Sequence, residues 1–257
     1  MTSPSDLSEP PPPPSGRVAE IFSTLQGEGL YVGQRQIFVR LSGCSWRCRY
    51  CDTPGSLDKD AHPTLSIQQV MDKVLELQTV RDHGAVSLTG GEPLLQADFL
   101  AGLLSSIKDH GLKTYLETSA THPHLFGPVA PLCDVVAADI KLPSAIGRPL
   151  WAEHEEFLRL AGDRAFVKIV LTAETTEDEI DTAVNLVARL TPVPPLVLQP
   201  VTPIGELEGR LHDPESATLG RILPPAPARL VGFWDWARQR LPVVKLIPQM
   251  HPVWGLP

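Results

Sequence analysis

From Val18 onward, short apolar runs alternate with segments that keep helical spacing. The runs VAEIF, QIFVRLSG, AVSLTG, KTYLET, DVVAADIK, AFVKIVLT, PLVLQP and VVKLIPQ are rich in β-branched residues and read as strands. Between two of them, Ile67, Val70, Met71, Val74 and Leu75 recur at helical intervals, and Ser66 with Gln69 predicts a capping box at the helix start. A second helix is predicted from Thr176, with Glu179 three positions on and Ile180, Val184 and Val187 on one face. Residues 97–109 are a third helical segment. Such alternation implies βαβ units and an α/β fold with a mostly parallel sheet. About six units suit a partial, incomplete TIM-type barrel better than two separate domains.

The punctuation sets the limits. Residues 1–16 are rich in proline, with five in succession, and predict a disordered or polyproline tail before a single domain spanning 17–257. The Pro- and Gly-containing stretch from about 203 to 227 reads as a long loop. Neither the tail nor any other segment resembles a signal peptide, and no apolar run reaches the roughly 18 residues of a membrane span. A net charge of −8 argues against a general nucleic-acid or anionic-membrane surface. The expected location is the cytoplasm, since four cysteines, three of them clustered, do not form a secreted disulfide framework.

That cluster, GCSWRCRYCDT, places Cys44, Cys48 and Cys51 in a Cys-x3-Cys-x2-Cys pattern. Three thiolates on a short loop can converge on one inorganic centre. Structural zinc needs a fourth ligand, for which His62 or Cys133 are candidates; an iron–sulfur cluster can leave one iron open to a small molecule. Reactive or merely buried thiols are the remaining reading. Cys133, before an apolar strand, reads as a core residue, and His62, His83, His122 and His124 as surface or structural groups.

The spacing, with Tyr50 before the last cysteine, resembles the signature of the radical S-adenosylmethionine superfamily, and TGGEP (89–93) resembles its Gly-Gly-Glu motif. Both glycines let backbone approach a ligand closely. TLQGEG (24–29), FVRLSGC, CDT, LETSAT (116–121), LQP and the closing PQMHPVWGLP are together similar to the 7-carboxy-7-deazaguanine synthases, over roughly residues 18–257.

The resemblance implies a [4Fe–4S] cluster on the three cysteines, S-adenosyl-L-methionine as coenzyme, and Mg²⁺ on Thr53. It implies conversion of 6-carboxy-5,6,7,8-tetrahydropterin to 7-carboxy-7-deazaguanine with loss of ammonia. The coenzyme would meet Tyr50, Cys51, Asp52, Gly91, Glu92, Asp139, Ile140, Lys141, Gln199, Pro200, Val201 and Thr202. The pterin would meet Leu25, Gln26, Gly27, Glu28, Thr89, Glu117 and Pro257, with Arg40 pairing with its carboxylate. A flavodoxin or ferredoxin reductant and a homodimer are implied as well. Ser119 and Ala120 in ETSAT, and Asp139-Ile140-Lys141 where some members have Ser-Pro-Lys, depart from the family pattern.

Overall fold

The computed structural model describes residues 14–203 and 222–256. Its strands are β1 (Ser15–Leu25), β2 (Arg35–Leu41), β3 (Thr64–Ser66), β4 (Ala85–Gly90), β5 (Thr114–Thr118), β6 (Val135–Asp139), β7 (Ala165–Leu171), β8 (Leu196–Pro200) and β9 (Val244–Leu246). They form one sheet in the order β3-β1-β2-β4-β5-β6-β7-β8-β9. β1 runs antiparallel to β2 and β3, and every pairing from β2–β4 onward is parallel. The end strands β3 and β9 do not pair with each other, so the barrel is incomplete.

Each of the eight predicted runs forms a strand; β3, at three residues, is too short to show alternation. Ser15 and Gly16 already pair with Ser66 and Leu65, so the sheet begins two residues before the expected end of the tail. Residues 204–221 of the expected long loop, and residues 1–13, lie outside the described residues.

The helices α1 (Ile67–Val80), α2 (Ala97–Asp109), α3 (Pro123–Phe126), α4 (Pro143–Ile146), α5 (Trp151–Ala161), α6 (Glu177–Ala188), α7 (Pro227–Arg238) and α8 (His251–Trp254) follow in chain order. Both predicted capping boxes form, Ser66 with Gln69 and Thr176 with Glu179. The long helices pack on one face of the sheet over a continuous apolar core from Val18 to Val244.

The other face carries the site, and the two-residue strand period explains how. Toward the strand starts, Ala85, Tyr115, Ala137, Phe166 and Val197 form an apolar floor, with Tyr31 edge-on to Tyr115 at 5.4 Å between ring centroids. One period further along β5, β6, β7 and β8 stand Glu117, Asp139, Lys168 and Gln199, which border a cavity. Polar side chains at the carboxyl ends of barrel strands are where this architecture builds its chemistry.

Candidate active site

After β2 the chain turns into the cysteine loop. Gly43 N donates to Ser56 O at 2.8 Å and Cys51 N to Cys48 O at 3.1 Å, which holds the loop curled. Cys44, Cys48 and Cys51 are free, half-buried thiols on the same cavity. Burial pushes all three thiols up, Cys51 to about 11 with Asp52 adding to the effect. A metal centre that binds them as thiolates must therefore expel protons.

The zinc reading loses its fourth ligand. Cys133 lies 2% exposed in the core, its thiol pushed up to about 12 by burial, and the His62 ring is bonded to Gly55 O at 2.8 Å. Among the described residues no three His, Cys, Asp or Glu side chains are grouped around a single ion position. Three thiols spaced around a cavity instead suit a cluster in which each holds a different iron.

The Gly-Gly-Glu turn is built by close packing against this loop. Gly90 has φ +138°, and a Cβ there would collide with the Leu41 backbone; one on Gly91 would collide with Gly43 O. Glu92, which the resemblance assigns to the coenzyme, does not border the cavity. Its carboxylate is fully buried and accepts from Leu94 N (3.1 Å), Thr118 Oγ1 (2.8 Å), Ser119 N (2.8 Å) and Ser119 Oγ. Glu92 is thus a brace between the turn and the end of β5, while Gly91 borders the cavity.

On the β1–β2 side, Arg40 stands opposite Glu20 in register and bonds its carboxylate at 2.6 Å, with its guanidinium 5.6 Å from the Phe22 ring centroid. Glu117 accepts from Gln26 Nε2 at 2.8 Å and from Thr89 Oγ1 at 2.7 Å. Leu25, Gly27 and Glu28 border the same cavity, as do Thr53, Tyr50 and Asp52.

Lys168 joins the two halves. It is the register partner of Asp139, lies 3.5 Å from its carboxylate, and makes a short ion pair with Glu28. Burial pushes the Glu28 carboxyl up, but the Lys168 charge and hydrogen bond, with Gln249 and His251, outweigh it and leave it at about 2. Burial also disfavours the Lys168 charge, and Asp139 and Glu28 overcome that penalty to hold the ammonium above its ordinary value. Lys141 bonds Asp139 Oδ2 at 2.8 Å and lies 5.4 Å from the Tyr50 ring centroid.

Other expected contacts fall elsewhere. Ile140 is fully buried in the apolar core, pointing away because it is the next residue out of phase with Asp139. Val201 borders the cavity; Pro200 and Thr202 do not. Pro257 lies outside the described residues. The segment before it does fold back: Met250 N donates to Gly27 O at 2.8 Å, and Gln249 Nε2 bridges Glu28 (2.7 Å) and Asp52 (2.9 Å).

Sequence reasoning missed Lys168, Gln249, His251 and Ser119 as cavity residues. For Lys168 the signal was available, since a lone cation in the apolar run AFVKIVL repeats what singles out Arg40 in QIFVRLSG.

The donor set fits a cluster with S-adenosylmethionine beside it. In the same cavity as the thiols, Asp139 Oδ1 and both amide atoms of Gln199 are buried without a hydrogen-bond partner among the described residues. Unpaired buried polar atoms are costly, and a ligand with its own donors and acceptors satisfies them.

Fold and site together define a radical S-adenosylmethionine enzyme, and the Radical SAM superfamily matches residues 38–187. Enzymes of this superfamily use a [4Fe–4S] cluster and S-adenosylmethionine. The chain is 35% identical to the 7-carboxy-7-deazaguanine synthase of Geobacter sulfurreducens, over 94% of this chain and 98% of that protein. It is 33% identical to the synthase of Methanopyrus kandleri, over 93% and 94%. The crystal structure of QueE from Escherichia coli superposes with a TM-score of 0.57 at 25% identity, covering 75% of this chain and 87% of that one. The chain belongs to the 7-carboxy-7-deazaguanine synthase family.

Proposed function

We infer that this protein is a carbon–nitrogen lyase of 7-deazapurine biosynthesis that converts a pterin precursor to 7-carboxy-7-deazaguanine. The observation that supports this best is one cavity in which the three thiols adjoin Arg40 and the Gln26–Glu117–Thr89 set. We take the substrate to be 6-carboxy-5,6,7,8-tetrahydropterin, whose ring contracts and expels one nitrogen as ammonia without net oxidation.

When bound, the cluster and S-adenosylmethionine supply a carbon radical able to remove a hydrogen atom from the substrate. Cys44, Cys48 and Cys51 hold the cluster, and the Gly91 backbone, Asp139, Lys141 and Gln199 line the coenzyme's place. Arg40 pairs with the substrate carboxylate in exchange for Glu20, its planar fork suiting a bidentate bond. Glu117 and Gln26 face the amino-pyrimidine edge, where a carboxylate accepts from ring N–H and amine donors. Glu28 and Lys168 complete the polar wall between substrate and coenzyme.

Thr53 would offer one oxygen to Mg²⁺, whose remaining ligands would come from substrate and water. The one-electron reductant, a flavodoxin or ferredoxin, meets the cysteine loop, where Arg47 and Arg49 are exposed. The working unit is a homodimer. No described helix is long and apolar enough to cross a membrane.

The test is an anaerobic assay with reductant, S-adenosylmethionine, Mg²⁺ and the carboxy-tetrahydropterin, read by mass spectrometry. A deazaguanine product is expected. Its absence, despite an intact cluster and cleavage of S-adenosylmethionine, would overturn the assignment.

A further inference from the structure

Helix α5 buries His154, Phe157, Leu158 and Ala161, one continuous face at helical spacing. Three of the four are apolar, and Phe157 stacks on Phe126 at 4.1 Å between ring centroids. The fourth is an imidazole with no exposed surface. Packing alone does not call for histidine there, because burying two ring nitrogens is unfavourable unless both are paired.

Both are paired, and each to the backbone of a different loop at the cavity rim. His154 Nε2 accepts from Lys141 N at 3.1 Å, so Nδ1 carries the proton and donates to Ala120 O at 3.1 Å. The first loop follows β6 and sets where the Lys141 side chain starts; from there it reaches Asp139 and the Tyr50 ring. The second follows β5, where Ala120 sits at φ +54°, a left-handed conformation that disfavours residues with a Cβ. Its neighbours Ser119 and Thr121 bond the Glu92 carboxylate and the Trp46 indole, which belong to the Gly-Gly-Glu turn and the cysteine loop.

We propose that His154 is a positioning residue for S-adenosylmethionine, acting through the Lys141 main chain to fix the Asp139–Lys141 wall of the coenzyme's place. The inference rests on the radical S-adenosylmethionine reading and adds a residue from outside the cavity. The Lys141 bond carries the effect, and the Ala120 bond serves the fold.

The two bonds can be separated. In His154→Gln the side-chain oxygen reaches the position of Nε2 and still accepts from Lys141 N. In His154→Asn the shorter amide reaches only the position of Nδ1 and keeps the Ala120 bond. The experiment measures S-adenosylmethionine binding to the reconstituted protein without substrate, by calorimetry and by the change in the reduced cluster's electron paramagnetic resonance signal. Loss of the Lys141 bond in His154→Asn is expected to weaken binding about tenfold, with His154→Gln within about threefold of the parent. Phe157→Leu, on the same buried face, is expected to lower the melting temperature and leave affinity unchanged.

Equal affinities in the two histidine variants, or a loss in Phe157→Leu matching that in His154→Asn, would overturn the proposal. A parent protein with an intact cluster that binds no S-adenosylmethionine would overturn the functional reading as well.

Discussion

The two walls of the cavity differ in how far they satisfy themselves. On the wall proposed for the substrate, Arg40 holds Glu20, Gln26 and Thr89 hold Glu117, and Lys168 holds Glu28. On the wall proposed for the coenzyme, Asp139 Oδ1 and the Gln199 amide are buried without partners among the described residues, in a cavity shared with three thiols whose protons burial retains. A ligand entering the first wall must exchange existing hydrogen bonds; one entering the second makes bonds that were missing. The substrate wall is therefore built for discrimination, because a wrong ligand leaves buried groups unpaired. The coenzyme wall is built for affinity.

The largest effect expected is on the coenzyme wall. Cys48→Ala should lose the cluster, seen as loss of the iron–sulfur absorption in the visible spectrum, and activity should fall to background. An intact spectrum in that variant would remove Cys48 from the ligand set. On the opposite wall, Glu117→Gln should lower kcat/KM for the pterin by about 10- to 100-fold, the value of a charged hydrogen bond, while uncoupled cleavage of S-adenosylmethionine persists. If coenzyme binding falls equally, the two walls are not separate.

Thr53→Ala sharpens the same division. It should raise the Mg²⁺ concentration needed for half-maximal rate several-fold, roughly a hydrogen bond's worth, and leave the cluster spectrum unchanged. Lys168→Met tests the bridge between the walls. Removing one partner of a largely buried ion pair should lower stability by about 3–5 kcal/mol at pH 7, read by chemical denaturation.

The pH dependence gives the sign. Glu28 is depressed from its ordinary 4.5 to about 2, so its ionised form stabilises the fold above pH 4.5, and that contribution fades as pH falls toward 2. Lys168→Met should flatten the stability profile within that window. The smallest effect is Ala120→Gly: relief of the left-handed alanine, less the greater freedom of glycine when unfolded, leaves a gain of about 0.5 kcal/mol in stability.

Much of this was legible because it follows from local spacing. The strand runs, both capping boxes and the cysteine loop depend on residues close in sequence, and motif resemblance extended them to Gln26, Arg40 and Glu117. What local spacing does not carry is tertiary. Glu92 faces inward because Thr118 and Ser119, a strand away, supply its donors. Ile140 follows from a two-residue period that a motif carried over whole disregards. Helix α5 was missed, and with it His154, whose meaning lies in two loops far from it in sequence. Lys168 is a different case: the pattern was present, and only the neighbouring Asp139, one strand over, turns a lone lysine into a bridge.

The apolar floor has a consequence for ligand traffic. Tyr115 and Phe166, 1% and 2% exposed, pack with Tyr31 one strand period before Glu117 and Lys168, which border the cavity. Coenzyme, substrate and product that use the polar side chains bordering the cavity therefore meet at the same strand ends. Turnover under such an arrangement depends on the order of departures as much as on how tightly each occupant is held.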